Sequence, residues 1–304
     1  MKVSWEGVYP AVTTKFKADG SIDFQAFEHN LEAQIQAGID AIVIGGSLGE
    51  ASTLSGPDKA AILQSALNLS AGRVPVILNI AEKQTTEAVR VAREAEKIGA
   101  HGLMLLPPMQ YKADDRECVA YFKTVAHSMS LPIMLYNNPV DYKILVSIPM
   151  LEDLADCENI QAIKESSRDI TNVTRMRNAF GDRYKILCGV DTLALECLAA
   201  GADGWVAGLV NAFPRETVVI YKLVKASRLA EALAIYRWFM PLLELDIHPK
   251  LVQYIKLAEV ATGLGTEMVR PPRLCLEGEE RAQVLEIIKK GVAKRPDMTV
   301  YDSL

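Results

Sequence analysis

The chain has 304 residues, of which 50% are apolar, and a formal net charge of −5. This is enough material for one large domain or two medium ones with a sizeable core. Basic residues are spread along a mildly acidic chain, which excludes a basic stripe for nucleic acid. No apolar run approaches the roughly 20 residues that span a bilayer, and the start lacks the apolar segment of a signal peptide. We therefore expect a cytoplasmic protein that binds neither nucleic acid nor a membrane.

Short apolar runs recur along the chain, with helical patterns between them. Continuous rather than alternating apolar runs are typical of parallel strands that helices cover on both faces. Between them, Ser21 or Asp23 is a candidate helix cap, and Gly99 is a candidate helix end. The pattern predicts eight strands at residues 7–13, 41–46, 75–80, 101–106, 132–137, 160–165, 184–189 and 204–208.

Eight strands that alternate with helices favour a (β/α)8 TIM barrel. A doubly wound sheet is the rival, but no G-x-G-x-x-G follows the first strand. After the barrel come three helical patterns without strands, and one of them contains the apolar cluster "RWFMPLLELDI". We expect a catalytic barrel over residues 1–226 and a C-terminal three-helix extension over 227–304 that covers the barrel or forms a subunit contact.

The stretch "IQAIKESS" places Lys164 at the end of the sixth predicted strand. Active sites of these barrels lie at the carboxyl ends of the strands. Burial there would lower the pKa of the lysine and leave a neutral amine, which can form a Schiff base with a carbonyl or imine carbon. The alternatives are an ion pair with Glu165, or a buried stem below a solvated ammonium group.

Other polar groups follow neighbouring strands. Tyr136, in "YNNP", could shuttle protons near a Schiff base, or could be a core tyrosine with a satisfied hydroxyl. Gly45, Gly46 and Gly49 around Ser47, in "GGSLGE", would leave backbone N–H groups exposed at a helix entry, which suits a carboxylate. The alternative for these three residues is an ordinary strand-to-helix turn.

Further pocket positions follow the later strands. Gly189 and Val206, at the ends of strands seven and eight, are expected to line the pocket.

The five cysteines form no C-x-x-C pair and the four histidines have no i, i+4 spacing, so no metal site is expected.

Taken together, "G-x-x-G-E", "Y-N-x-P" and "K-E" resemble the dihydrodipicolinate synthase/N-acetylneuraminate lyase family of Schiff-base barrels. The resemblance covers nearly the whole chain, from "GVYPAVTTKF" to the helical tail. It implies that Lys164 forms the Schiff base, that Tyr136 transfers protons, and that Ser47 with the Leu48 amide holds the substrate carboxylate. It further implies a homotetramer that needs no cofactor and acts on a small 2-oxo acid or cyclic imine carboxylate.

Three departures from that family's synthases argue against lysine biosynthesis. The synthases carry two threonines in the glycine turn, whereas here the second position is Leu48, which cannot relay a proton. They place a tyrosine of the neighbouring subunit after the fourth strand, where this chain has Gln110, with Tyr111 one residue later and expected at the pocket. Their arginine for a substrate carboxylate is replaced by Asp141.

The combination of "GGSLGE", "YNNP", "AIKESS", "GWVAGLVNAFP" and "KLVQYIKLAE" is most similar to Δ1-pyrroline-4-hydroxy-2-carboxylate deaminases of hydroxyproline breakdown. The resemblance implies dehydration and deamination to 2-oxoglutarate semialdehyde and ammonia. Glu82, just past the third strand, could protonate the departing hydroxyl, or could be a solvated loop carboxylate. The alternatives are a 2-keto-3-deoxy sugar acid aldolase or dehydratase, an N-acetylneuraminate lyase-like pyruvate aldolase, and a non-catalytic barrel that binds a 2-oxo acid.

Overall fold

A computed structural model describes residues 1–108 and 111–304. Its strands are β1 Gly7–Pro10, β2 Ile42–Ile44, β3 Val76–Ile80, β4 Gly102–Leu105, β5 Ile133–Asn137, β6 Ile160–Glu165, β7 Lys185–Cys188 and β8 Gly204–Ala207. They form one parallel sheet in the order β1-β8-β7-β6-β5-β4-β3-β2. A parallel bridge between Ala11 and Val43 joins its two ends. The sheet therefore closes into the predicted (β/α)8 barrel.

Helices alternate with the strands and continue after the last one. They are α1 Phe24–Gln36, α2 Gly56–Ser70, α3 Thr85–Ile98, α4 Asp115–Ala126, α5 Pro139–Tyr142, α6 Ile148–Asp153, α7 Thr171–Phe180, α8 Ala194–Ala199, α9 Pro214–Lys225, α10 Leu229–Leu243, α11 Leu251–Thr262 and α12 Gly278–Ala293. Of the two candidate caps, Asp23 is the residue whose side chain accepts a hydrogen bond at the start of α1. Gly99 ends α3 in the left-handed conformation, as its position predicts.

The chain has two apolar layers. One fills the inside of the barrel with side chains such as Val43, Ile77, Met134 and Leu187, and the other lies between the strands and the surrounding helices. The interior is thus a packed core and not a pore, which leaves the strand ends as the place for a site.

The second strand is shorter than the predicted range 41–46, because the chain turns at Gly45. This glycine has φ +66°, a left-handed conformation that residues with a side chain rarely adopt. Its carbonyl accepts a hydrogen bond from the Asn79 amide on β3 at 3.0 Å. The turn at the end of β2 is therefore fixed to the neighbouring strand.

The helices α10 and α11 pack on the barrel, and α12 packs on α10 and α11. Within the apolar cluster predicted to be buried, Phe239, Leu242 and Leu243 have no exposed surface, whereas Ile247 at its end is 41% exposed. Two buried ion pairs also tie α11 to the barrel, one between Lys15 and Glu259 at 2.9 Å and one between Lys256 and Glu50 at 2.6 Å. Within residues 1–108 and 111–304, none of the helices has the length and apolarity that a membrane crossing requires.

Candidate active site

The carboxyl ends of the strands open into one cavity of about 90 Å³, enough for a small ligand. Lys164 and Tyr136 lie in its wall. The turn residues 46–48 also line it, as do Gly189 and Val206. Seven of the nine predicted site residues therefore meet in one place, although they come from five different strands or strand ends.

Lys164 lies on the cavity side of β6 and is buried, with 6% of its surface exposed. Among the described residues, no carboxylate lies within ion-pair distance of its amine, and the amine sits 4.0 Å from the centre of the Tyr136 ring. Burial lowers the pKa of Lys164, although the nearby Tyr142, Asp246 and Asp191 oppose this. The side chain is therefore neither snorkelling nor paired, and a larger neutral fraction of the amine is available at neutral pH.

The alternative pairing of Lys164 with Glu165 does not occur. Consecutive residues of a strand point to opposite faces, and Glu165 points away from the cavity. Its carboxylate accepts hydrogen bonds from the side chains of Asn137 at 2.8 Å and Asn172 at 2.7 Å, and from the Ser167 N–H at 2.6 Å. These three donors stabilise the charge of Glu165 without the lysine.

Gly189, at the end of β7, leaves the space that the Lys164 side chain occupies. A Cβ atom at this position would lie 2.7 Å from Cε of Lys164 and 2.2 Å from Oγ of Ser166. Both distances are shorter than van der Waals contact, so a side chain here would displace the amine. The lysine therefore depends on a glycine at this position of the neighbouring strand.

Tyr136 lies beside Lys164 because the two residues are register partners on β5 and β6. Its hydroxyl accepts a hydrogen bond from the Asn138 amide at 3.1 Å. Burial raises the pKa of Tyr136 to about 12, although the hydrogen bond from Asn138 opposes the shift. The phenol is therefore protonated at neutral pH and can donate its proton to a bound substrate.

The glycine turn after β2 places Ser47 at the open side of the cavity. The Ser47 hydroxyl hydrogen-bonds to the hydroxyl of Tyr142 from α5, whose ring centre is 5.6 Å from that of Tyr136. Gly49 packs against the backbone that follows β1, since a Cβ there would lie 2.8 Å from the Val12 oxygen. The turn is therefore held in place on both sides.

The sequence did not single out Tyr142, Asp191 or Asp246. Tyr142 follows the "YNNP" motif by three residues, so its place near the strand end was a usable signal. Asp191 lies in "CGVD" after β7, where its buried carboxylate accepts hydrogen bonds from backbone and indole N–H groups. Asp246 lines the cavity from the turn between α10 and α11, far along the chain from any strand. No pattern of strand ends could have identified Asp246.

Two predicted site residues lie elsewhere. Glu82 is not part of the cavity wall, because its carboxylate forms an ion pair with Lys59 of α2. This corrects the expectation that Glu82 faces the substrate. Tyr111 is 58% exposed and also lies outside the cavity wall of its own chain. Gln110, which stands where the synthases have a tyrosine, lies outside the described residues.

In the part of the chain that the structure describes, no three histidine, cysteine, aspartate or glutamate side chains are placed to hold a metal ion.

A closed barrel with a desolvated lysine beside a tyrosine defines an enzyme class, the lysine Schiff-base lyases. Residues 4–291 match the model of the dihydrodipicolinate synthetase family, and the chain belongs to that family. Members of this family form a Schiff base with their substrate, so this chain is an enzyme of that class.

Individual relatives match over almost their full length. A 4-hydroxy-tetrahydrodipicolinate synthase of Exiguobacterium sibiricum is 33% identical over 95% of this chain and 99% of its own. The crystal structure of dihydrodipicolinate synthase from Aquifex aeolicus has a TM-score of 0.89 and 29% identity, over 94% of this chain and 97% of its own. YagE, a prophage protein of E. coli K12 solved in complex with pyruvate, has a TM-score of 0.89 and 27% identity, over 95% of this chain and 99% of its own.

Proposed function

We propose that this enzyme dehydrates and deaminates Δ1-pyrroline-4-hydroxy-2-carboxylate to 2-oxoglutarate semialdehyde and ammonia. The buried amine of Lys164 beside the protonated phenol of Tyr136 is the observation that supports it. An uncharged amine is the nucleophile that attack on an imine carbon requires. In this proposal Ser47 and the backbone N–H of Leu48 hold the carboxylate on C2, and both residues line the cavity.

The reaction begins when the Lys164 amine attacks C2 of the cyclic imine. The ring nitrogen leaves C2 as an amine, so that a C=N bond now joins C2 to Lys164. Loss of a proton from C3 gives an enamine, whose electrons expel the C4 hydroxyl as water. The new double bond shifts toward C5 and gives an imine there, whose hydrolysis releases ammonia. Hydrolysis at C2 then frees the product, and one water is consumed overall.

Two cavity residues argue against a synthase activity like that of the named relatives. Leu48 and Asp141 both line the cavity. Leucine has no hydroxyl to relay a proton in the glycine turn. Asp141 places an acidic group where the synthases have an arginine for a substrate carboxylate, and an acidic group does not attract a second carboxylate.

A second candidate is cleavage or dehydration of a 2-keto-3-deoxy sugar acid, with pyruvate as the product or the bound fragment. The structure of YagE with pyruvate supports this candidate. Aldol cleavage would use the same lysine and tyrosine, but it releases pyruvate and no ammonia.

A panel assay separates these activities. Purified protein is given the hydroxylated cyclic imine, several 2-keto-3-deoxy sugar acids and pyruvate with an aldehyde, and both ammonia and pyruvate are measured. We expect ammonia from the cyclic imine; pyruvate from the sugar acids without ammonia from the imine would contradict the proposal and favour the aldolase.

Borohydride trapping tests the chemistry itself. Reduction in the presence of the imine or pyruvate should add mass to the peptide that carries Lys164. Lys15 and Lys256 are internal controls, because both are buried amines with lowered pKa that pair with glutamates outside the cavity. No adduct with any 2-oxo acid or imine would favour a barrel that only binds its ligand.

The proposed assembly is a homotetramer, on the strength of the family resemblance. The apolar residues Phe239, Leu242 and Leu243 of α10 do not carry this proposal, because they pack inside the chain. Light scattering on the purified protein should give a mass close to four times 33.4 kDa. A monomer mass would contradict the proposed assembly.

A further inference from the structure

Asp246 brings a carboxyl group to the cavity from outside the barrel strands. Its backbone lies in the 3-10 turn Glu244–Ile247, between α10 and α11, and its side chain lines the cavity together with Lys164 and Tyr136. The carboxyl rests against the end of β8, where a Cβ on Gly208 would lie only 2.3 Å from Oδ1 of Asp246. A glycine at 208 is therefore required for this carboxyl to reach the cavity.

A second carboxyl, that of Asp191, lies near that of Asp246 but is not part of the cavity wall. It accepts hydrogen bonds from the indole of Trp205 at 2.9 Å, the N–H of Gly208 at 3.0 Å and the N–H of Leu209 at 2.7 Å. Burial raises the pKa of Asp191, but the donors at Leu209, Gly208 and Trp205 and the charge of Lys164 oppose the shift. Because these three N–H groups stabilise its carboxylate form, Asp191 is the one of the two carboxyls that carries the negative charge.

The surroundings of Asp246 favour the protonated, uncharged form of its carboxyl group. Burial and then the negative charge of Asp191 raise the pKa of Asp246 well above its usual range, while Lys164, the backbone of Asp191 and Arg168 oppose the shift. Two carboxyls that share a site do not ionise together, and the one with fewer donors keeps the proton. The cavity wall therefore contains a carboxyl group whose raised pKa favours its protonated form, near the reactive lysine.

We propose that Asp246 is the general acid that protonates the leaving C4 hydroxyl group, a role that Glu82 does not fill because it is not part of the cavity wall. This inference rests on the proposed function. In the step, the electrons of the enamine on Lys164 form the C3=C4 double bond as the C4–O bond breaks. The carboxyl proton of Asp246 moves to the departing oxygen, which leaves as water, and Asp246 remains as a carboxylate until solvent reprotonates it.

Asp246→Asn tests this role, because the amide keeps the shape of the side chain but is a poor acid. Glu244→Gln is the matched control: this residue lies in the same turn and is exposed to solvent. General acid catalysis is worth roughly 10²–10⁴ in rate, so ammonia release by Asp246→Asn should fall by that factor. Glu244→Gln should keep the activity of the unchanged enzyme.

An analogue with fluorine in place of the C4 hydroxyl separates acid catalysis from a structural role. Fluoride leaves without a proton, so Asp246→Asn should release fluoride within roughly tenfold of the unchanged enzyme. Borohydride trapping of Lys164 should also persist, which shows that the variant is folded and forms the Schiff base.

The outcomes are distinct. Equal losses on the hydroxyl and fluoro substrates, or no loss on either, would overturn the role of Asp246 and leave the proposed function standing. Absence of ammonia release by the unchanged enzyme would overturn the proposed function together with this inference.

Discussion

The amine of Lys164 lies 4.0 Å from the centre of the Tyr136 ring, because the two residues face each other across the parallel strands β5 and β6. Parallel strands hold register partners side by side through several backbone hydrogen bonds. The distance between nucleophile and phenol is thus set by the barrel itself and not by a loop. A proton can pass from the tyrosine to an atom bonded to the lysine without a large movement of either side chain.

Replacement of Tyr136 by phenylalanine should slow proton transfer and leave the lysine in place. General acid–base catalysis contributes about 10²–10⁴ in rate, so turnover should fall by that factor while borohydride still traps an adduct on Lys164. Tyr184→Phe is the control, because Tyr184 is also buried but donates to the Leu151 carbonyl in the outer layer. If Tyr136→Phe turned over at the normal rate, the phenol would have no role in proton transfer.

Gly189→Ala should reduce Schiff-base formation, because the added methyl would meet Cε of Lys164 and Oγ of Ser166 below contact distance. Mass spectrometry after borohydride reduction with pyruvate measures the fraction of protein that carries an adduct. Gly56→Ala is the control, since a Cβ there lies 3.6 Å from its nearest neighbour at the start of α2. Full labelling of Gly189→Ala would show that the lysine can move aside without losing its reactivity.

Ser47→Ala should weaken substrate binding more than it slows the chemical step. A hydrogen bond to a charged group contributes about 1.5–3 kcal/mol, so KM should rise roughly 10- to 100-fold. The control is Ser65→Ala, which removes a serine hydroxyl that binds Glu28 on the outer helices. A loss in kcat with an unchanged KM would instead place Ser47 in the proton path with Tyr142.

Glu50→Gln should destabilise the protein, because it leaves the buried ammonium of Lys256 without its carboxylate. Both side chains have no exposed surface, and Glu50 also accepts a hydrogen bond from the Arg270 N–H at 3.0 Å. Removal of one partner of a buried pair costs about 3–5 kcal/mol, which urea unfolding can measure. The surface pair of Glu32 with Arg73 is the comparison, and Glu32→Gln should cost far less.

His101 should make the folded state less stable in mild acid. Its ring Nδ1 accepts a hydrogen bond from the Val76 N–H at 3.0 Å, and burial lowers the pKa of His101 below its usual 6.5. The unfolded chain therefore binds the proton more readily than the folded one. Stability is complete above pH 6.5 and is lost as the pH falls toward the lowered value. Urea unfolding between pH 8 and 5 should show this decline, and His101→Gln should lessen it.

Much of the barrel could be predicted from the sequence, because continuous apolar runs report burial on both faces. All eight strands were located, but the predicted ranges 7–13 and 41–46 were too long. The second strand ends early because the left-handed turn at Gly45 depends on φ and not on hydropathy. Lys164 was found because a lysine at the end of a buried strand conflicts with its own apolar context. Glu82 was misplaced because position along the chain does not say which way a loop carboxylate turns, and here Lys59 attracts it.

The sequence by itself determined the alternation of strands and helices and the identity of the lysine, since both depend on local pattern. Only the tertiary structure decided which acidic groups meet that lysine. Asp191 and Asp246 are separated by many residues and come together because α10 and α11 fold back over the ends of β7 and β8. The physical reason is that the state of a carboxyl depends on its burial, its donors and its neighbouring charges, and these are properties of the folded chain.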